Sequence, residues 1–313
     1  MRNVNKRATS FKRNKYIFVY SFLAFAVVQF IVFYAVVNFN SILLAFKEYK
    51  GVDDAYNEIY VWSFGNFARM FREFQSPNSD LLTGFLNTLK YFGINVVLMI
   101  PLSLFVAYFL YKKIAGYKAF RVVFFLPSII SAVVYVTIFK NIISTFGPVY
   151  TIVEKLFGYE MPPLLNTDGT ATPTIIFYTV WTGLGINMIL YQGAMNRLPA
   201  EIIEAGRMDG ITWLRELWSV VIPIIWPTLS MTVIIAFTGL FNSGGPVLLF
   251  SEAGSILGRN KTMTLPFLIY TLTWYGKVYE YPAAIGVFFT LISLPIVLGI
   301  RKLMSKIDPE VEY

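Results

Sequence analysis

The chain contains no cysteine and no histidine, and only 14% of its 313 residues are charged. Without cysteine it has no disulfide, no thiolate nucleophile and no cysteine metal ligand. Without histidine it lacks the side chain that most readily exchanges protons near neutral pH. It also has no G-x-x-x-x-G-K-S/T phosphate-binding loop, so nucleotide energy would have to come from another chain. We therefore expect no catalytic residue and no metal ligand.

Hydrophobic residues, by contrast, make up 56% of the chain. They form charge-free runs that reach the roughly 20 residues needed to cross a bilayer as a helix. The first run is too long for the 7–15-residue core of a secretory signal, so we interpret it as a retained helix. The predicted membrane-spanning helices are 17–44, 88–111, 120–141, 173–195, 217–241 and 281–303.

Lys and Arg predict the orientation of these helices, because they concentrate on the cytoplasmic side of membrane proteins. With the N-terminus inside, the cytoplasmic segments are 1–16, 112–121, 196–216 and 301–313, which hold well over half of the 26 Lys and Arg residues. This bias explains the formal net charge of +8 without a nucleic-acid partner. No charged residue falls in the middle of a predicted span, which argues against ion or proton coupling.

The segments outside the spans differ in character. Aromatic residues from Phe64 to Phe74 recur every three or four positions, which predicts an amphipathic helix at the outer interface. The charge-free stretch Thr262–Gly276 is too short to span easily, so we expect a re-entrant or interfacial piece. The predicted divisions are a basic N-terminus 1–16, a first helix with outer segment 17–84, a membrane core 85–303 containing a loop 198–223, and a tail 304–313.

The loop 196–216 is acidic, whereas most of the other predicted cytoplasmic segments are basic. Pro199 suits the first turn of a helix, where its missing N–H costs nothing. Glu201 and Glu204 would lie near the positive end of the helix dipole. Gly210 can adopt the left-handed conformation that ends a helix. These signals predict a short helix on the inner surface, which is either a docking site for a partner or a solvated connector.

The same loop carries a spaced pattern of residues. The spacing resembles the EAA loop of membrane subunits of ATP-binding-cassette importers, which reads E-A-A, two residues, D-G-A and, further on, L-P. Gly206 replaces the second Ala, and Ile211 replaces the third. The matching residues are Glu204, Ala205, Asp209, Gly210 and Pro223.

Other stretches narrow the resemblance to carbohydrate importers similar to the maltose transporter membrane subunits. The lead-in LPAEIIEA, the W-x-G at Trp181–Gly183 and the segment 120–131 are similar to that group. So is the run from Phe241 and Asn242 to the Gly-Gly-Pro that ends at Pro246. Thr179 and Leu240 stand where the maltose group has Asn, which argues against maltose itself.

The resemblance implies an all-α integral membrane permease with six transmembrane helices, both termini cytoplasmic, and a short cytoplasmic coupling helix between helices four and five. It would sit in a bacterial cytoplasmic membrane with a second permease subunit as a heterodimer, two ATPase subunits that bind ATP and Mg, and an extracytoplasmic sugar-binding protein. The chain itself would bind no cofactor. The implied ATPase-docking residues are Glu201, Glu204, Ala205, Gly206, Arg207, Asp209 and Gly210. The expected substrate-pathway residues are Tyr178, Thr179, Trp181, Thr182, Gly183, Asn187, Thr238, Asn242 and Ser243.

Three alternatives remain open at this point. The polar residues within spans can serve as hydrogen-bonding contacts between helices instead of lining a path. The same architecture could import glycerol phosphate or another polar solute. A secondary transporter would show inverted repeats and often a buried acid, neither of which is evident in the sequence.

Overall fold

The computed structural model describes residues 2–53, 56, 58–167, 169–251 and 262–307, with side chains from residue 15 onward except that of Arg207. Most of the predicted tail 304–313 therefore lies outside the described residues. Within them the chain is mostly helical. The helices are α1 (Arg2–Phe30), α2 (Val37–Leu44), α3 (Gly65–Gln75), α4 (Asp80–Ile94), α5 (Ile100–Tyr111), α6 (Tyr117–Ile129), α7 (Ala132–Ile143), α8 (Pro148–Phe157), α9 (Ala171–Met195), α10 (Ala200–Met208), α11 (Trp213–Glu216), α12 (Ile222–Ile224), α13 (Trp226–Thr238), α14 (Val247–Phe250), α15 (Leu265–Trp274) and α16 (Glu280–Ile307).

Short π-helical segments, which hold an extra residue per turn, join several of these helices into longer ones. They are Ile31–Val36 between α1 and α2, Asn95–Met99 between α4 and α5, and Leu217–Val221 between α11 and α12. Five continuous helices in the described residues are long and apolar enough to cross a membrane, and one bent pair makes a possible sixth. The spans are Lys15–Leu44, Asp80–Tyr111, Ala132–Phe157, Ala171–Met195, Glu280–Ile307 and the pair Trp213–Ile224 with Trp226–Thr238.

Two predicted spans are broken or bent in the structure. The helix predicted over 120–141 is interrupted, because the chain is extended at Ile130, just after α6. Pro127 lies in the last turn of α6, where its missing N–H removes one helical hydrogen bond. The fifth span bends by 77°. Its break at Ile225 precedes Pro227, whose ring would clash with the carbonyl four residues earlier in a straight helix.

The described chain forms two compact units, one of Met1–Met70 with Val278–Val287 and one of Phe71–Lys277 with Phe288–Tyr313. In the first unit, a hairpin pairs β1 (Lys47–Val52) with β2 (Glu58–Trp62) in antiparallel register, with Lys47 opposite Trp62. The amide of the buried Asn66 donates to the carbonyls of Ala45 and Lys47, at 3.3 and 2.7 Å. The amphipathic helix predicted from Phe64 to Phe74 is confirmed as α3, whereas the sequence analysis missed the hairpin.

The second unit is built around α9. A Cβ on Gly185 would lie 2.6 Å from the carbonyl oxygen of Phe124, so only glycine lets α6 approach this closely. A Cβ on Gly183 would lie 2.0 Å from Cε of Met99, which therefore fills the notch left by that glycine. Ser103 on α5 donates to the carbonyl of Leu184 at 3.5 Å. Helices α5 and α6 are thus seated against the middle of α9.

Candidate functional site

The predicted surface helix exists and is α10, Ala200–Met208. Its first turn begins beside Pro199, whose carbonyl accepts the N–H of Ile202 at 3.3 Å. Gly210 follows the helix with φ +71°, the left-handed conformation expected for a glycine that ends a helix. Local chemistry was therefore sufficient to predict both ends of this helix.

One face of α10 is anchored and the other is free of the bundle. Leu198 and Ile203 are buried in the hydrophobic core formed with α5, α9 and the segment from α11 to α13. Glu201, Glu204 and Met208 are exposed, Met208 by 88%. The buried residues fix the rotation of α10 about its axis, so two carboxylates and a thioether face away from the bundle. Ala205 and Asp209 are also exposed, whereas the side chain of Arg207 is outside the described part of the chain.

Gly206 contributes to the turn that follows α10. It is half-buried, and a Cβ there would lie 3.2 Å from Cγ2 of Ile211. The N–H of Ile211 donates to the carbonyl of Gly206 at 3.1 Å, which closes the turn after α10. The absence of a side chain at Gly206 therefore leaves room for Ile211 in the turn, and the docking role of Gly206 stays a prediction.

The turn leads directly into a group of contacts with the end of α5 that the sequence analysis missed. Lys112 Nζ lies 2.6 Å from both carboxylate oxygens of Glu216. The hydroxyl of Tyr108 donates to the carbonyl of Trp213 at 3.1 Å. The ring of Phe109 lies 5.6 Å from that of Trp213. No local pattern links residues 104 positions apart, so the sequence carried no signal for this ion pair.

The N-terminal half of α9, residues 171–184, is the half predicted to lie nearer the outer side, and we call it the outer half. It carries two of the predicted pathway residues inside an aromatic cluster. The ring of Tyr178 lies 5.0 Å from Phe139 and 5.1 Å from Phe250. The ring of Trp181 lies 5.3 Å from Tyr135. Tyr178 is buried and Trp181 is half-buried. The structure thus brings these two residues together within one group of aromatic rings.

The remaining α9 residues predicted for the pathway are half-buried. Thr179 donates to the carbonyl of Ile175 at 2.7 Å, and Thr182 to that of Tyr178 at 2.9 Å. Both hydroxyls are therefore bonded within their own helix and need no neighbour. Gly183 packs against Met99, as described above, which is a packing contact. Asn187 is also half-buried.

The pathway residues predicted on and beyond α13 lie at and just after its C-terminal end. Thr238 is exposed and donates to the carbonyl of Ile234 at 2.9 Å. Asn242 is exposed, and Ser243 donates to the carbonyl of Gly239 at 2.9 Å. These hydroxyls, like those of Thr179 and Thr182, bond within their own segment of chain.

The C-terminal half of α9, residues 185–195, which we call the inner half from its predicted side, is instead joined to its neighbours by side-chain hydrogen bonds. The hydroxyls of Tyr191 and Thr232 lie 2.8 Å apart and join α9 to α13. Arg121 Nε donates to the side-chain oxygen of Gln192 at 3.1 Å and joins α6 to α9. The interpretation of polar residues as contacts between helices applies well to this half.

Two cavities flank the outer part of α9. One of about 740 Å³ has an almost wholly apolar lining that includes Trp181, Phe177 and Phe139. The other, of about 400 Å³, is lined in part by Thr83, Asn87, Lys90 and Thr172. Lys90 is near the start of the predicted span 88–111, and the helix that contains it begins earlier, at Asp80. The expectation that no charged residue falls in the middle of a span stays a prediction.

Comparison with known proteins places these elements in a known context. Residues 99–313 match the family model described as binding-protein-dependent transport system inner membrane component. The multiple sugar-binding transport system permease protein MsmF of Streptococcus mutans is 29% identical over 205 residues, covering 64% of this chain and 69% of that protein. The lactose transport system permease protein LacF of Rhizobium radiobacter is 30% identical over 204 residues, covering 64% and 68%.

The fold also resembles a solved structure over nearly its full length. A chain from the crystal structure of a bacterial alginate transporter, in complex with an alginate pentasaccharide-bound periplasmic protein, aligns with a TM-score of 0.80. The alignment covers 97% of this chain and 99% of that one, at 21% identity. The bundle described above is therefore an established fold.

Proposed function

Because the chain belongs to the family of inner-membrane components of binding-protein-dependent transport systems, we propose that it is the permease subunit of an importer that carries an oligosaccharide into the cell. The matched residues 99–313 include α10 and its turn, which is the observation that carries the proposal. The curated relatives described above are sugar permeases, which supports a saccharide as the solute.

In this proposal the chain catalyses no reaction and binds no cofactor, since ATP and Mg are held by two partner ATPase subunits. A second permease subunit, as the other half of a heterodimer, and an extracytoplasmic sugar-binding protein complete the importer in the bacterial cytoplasmic membrane. A periplasmic protein accompanies the transporter in the similar solved structure, which supports the last partner. The family membership argues against the alternative of a secondary transporter.

The exposed face of α10 is the proposed docking site for one ATPase. Glu204 offers a carboxylate for a charge-assisted hydrogen bond, which is stronger than a neutral one. Leu198 and Ile203 hold the helix against the bundle, so movement of the ATPase would move the bundle as well. Nucleotide can drive transport only if the two states of the bundle make different contacts with the ATPase.

Replacement of Glu204 tests this docking role. We expect Glu204→Ala to lower the fraction of ATPase that co-purifies with the membrane subunits, together with sugar uptake into proteoliposomes. Gly210→Val, which forces a branched side chain into φ +71°, should have a similar effect. Lys155→Gln, in the exposed α8 helix, is the matched control and should change neither quantity. Full co-purification and full uptake in both variants would contradict the docking role.

An anionic solute is a second candidate, favoured by Lys90 in the smaller cavity. A lysine inside a membrane span is costly unless it serves a function or is paired. Its ammonium group donates to the side-chain oxygen of Asn87 at 3.2 Å, which holds it at the cavity. Uptake of neutral and uronic-acid oligosaccharides by the Lys90→Gln variant distinguishes the two. Selective loss of the acidic sugar would favour the anionic solute, and equal uptake would exclude this role for Lys90.

A further inference from the structure

The ion pair between Lys112 and Glu216 is unusually well enclosed for a site at the end of a bundle. The Glu216 residue is 3% exposed, and the Lys112 side chain 19%. Both carboxylate oxygens accept a hydrogen bond from the same ammonium group, which also lies 5.6 Å from the centre of the Tyr108 ring. The two hydrogen bonds and the contact with the Tyr108 ring thus hold the end of α5 against α11.

Such a pair is poorly explained as a source of stability alone. Removing two charges from water costs about as much as their attraction returns, and apolar replacements of buried pairs are often equally stable. What the pair supplies is position, because two short charge-assisted hydrogen bonds from one ammonium group hold Lys112 Nζ at the carboxylate of Glu216. The hydrogen bond from Tyr108 to the Trp213 carbonyl fixes the same two elements a turn away.

The ion pair lies close in the chain to α10, the proposed docking helix. Only the turn Asp209–Thr212 separates α10 from α11, and it is closed by the bond from Ile211 to Gly206. A displacement of α10 therefore reaches Trp213–Glu216 without passing through a loose segment. From Glu216 the ion pair leads to α5, which is seated along α9 and bonded to it through Ser103.

We propose that Lys112 and Glu216 are positioning residues that convert movement of α10 into movement of α5 and α9, an assignment that rests on the proposed function. The ATPase contacts the exposed face of α10, and neither residue of the pair touches it. Breaking the pair leaves the docking face intact but loosens the connection behind it. ATP would then be hydrolysed without a matching amount of sugar being carried.

The test uses the complete importer, with its partner subunits, in proteoliposomes, and measures sugar transported per ATP hydrolysed. Lys112→Met with Glu216→Leu removes both charges together, so no unpaired buried charge remains. We expect this double variant to assemble and hydrolyse ATP but to carry about tenfold less sugar per ATP. Reversing the pair, with Lys112→Glu and Glu216→Lys, should restore much of the ratio. The exposed neighbours supply the controls, Lys113→Gln and Arg215→Gln, which should leave it unchanged.

A wild-type ratio in the apolar double variant would overturn the proposal. Should that variant fail to assemble, Tyr108→Phe decides, because it removes the hydroxyl that bonds to Trp213 in the same connection. An unchanged ratio in Tyr108→Phe would then overturn the proposal, and a lowered one would support it. If the unaltered chain neither recruits an ATPase nor carries sugar, the proposed function itself fails. Coupled transport in the unaltered chain and in every variant contradicts only the role of the ion pair.

Discussion

The two halves of α9 are held in the bundle by different kinds of contact. The inner half is joined to its neighbours by hydrogen bonds between side chains, Tyr191 with Thr232 and Gln192 with Arg121. The outer half is surrounded by rings, and the hydroxyls of Thr179 and Thr182 bond within the helix. Hydrogen bonds specify one arrangement of two helices, whereas ring contacts permit several. We therefore expect the outer half to change its contacts during transport while the inner half keeps its own.

Gly185 lies at the boundary between the two halves, and we expect its replacement to have the largest effect on stability. Gly185→Ala places a Cβ 2.6 Å from the Phe124 carbonyl, so α6 must move away. Overpacking of this kind costs about 1–3 kcal/mol, so we expect a lower melting temperature in detergent and a lower yield of folded protein. Gly193→Ala is the matched control, because no atom would lie within 4 Å of its Cβ. Equal stability of the two variants would show that α6 and α9 are not in close contact.

A smaller effect is expected from the hydrogen bond between α9 and α13. Tyr191→Phe should lower stability by about 0.6 kcal/mol, which is typical of a hydrogen bond between membrane helices. Thr232→Val removes the other partner, so the double variant should be little worse than either single one. Chemical denaturation of all four proteins gives the coupling energy. Fully additive losses would mean that the two hydroxyls do not act on each other.

The smallest loss of stability is expected for Thr179→Val and Thr182→Val, since both hydroxyls bond only within α9. The second quantity to measure in these two variants is the KM for sugar uptake. If the outer half lines the path, loss of one hydrogen bond to sugar of about 1 kcal/mol should raise KM about fivefold. An unchanged KM in both variants would remove these residues from the predicted pathway.

The sequence was sufficient where the physical signal was local. Pro199 and Gly210 marked the two ends of α10, and the lengths of the apolar runs predicted the spans near 17–44, 173–195 and 281–303. The span predicted over 120–141 was misplaced, because an apolar run does not reveal where its backbone becomes extended. The docking and pathway roles of the predicted residues stay predictions, since they concern contacts with other molecules.

The contacts that the sequence could not predict are those between distant residues. Lys112 and Glu216 each look like an ordinary charge at the end of a predicted span. Nothing in the sequence around either residue indicates that the other is its partner. The hairpin was missed for a related reason. Its two strands are only five or six residues long and lie beside a strongly apolar helix, so the hydrophobic pattern of the segment is dominated by its neighbours.

The π-helical segment Asn95–Met99 makes single codons of the gene unequal in their effect. Its wide turn takes up one extra residue, so deleting one codon there would return the backbone to an α-helix and leave α4 and α5 close to their present orientation. Deleting one codon within α5 would instead turn the residues beyond it by about 100°, and Lys112 would no longer face Glu216. We therefore expect relatives of this chain to vary in length in their loops and at this segment, while an in-frame deletion within α5 should abolish growth on the transported sugar.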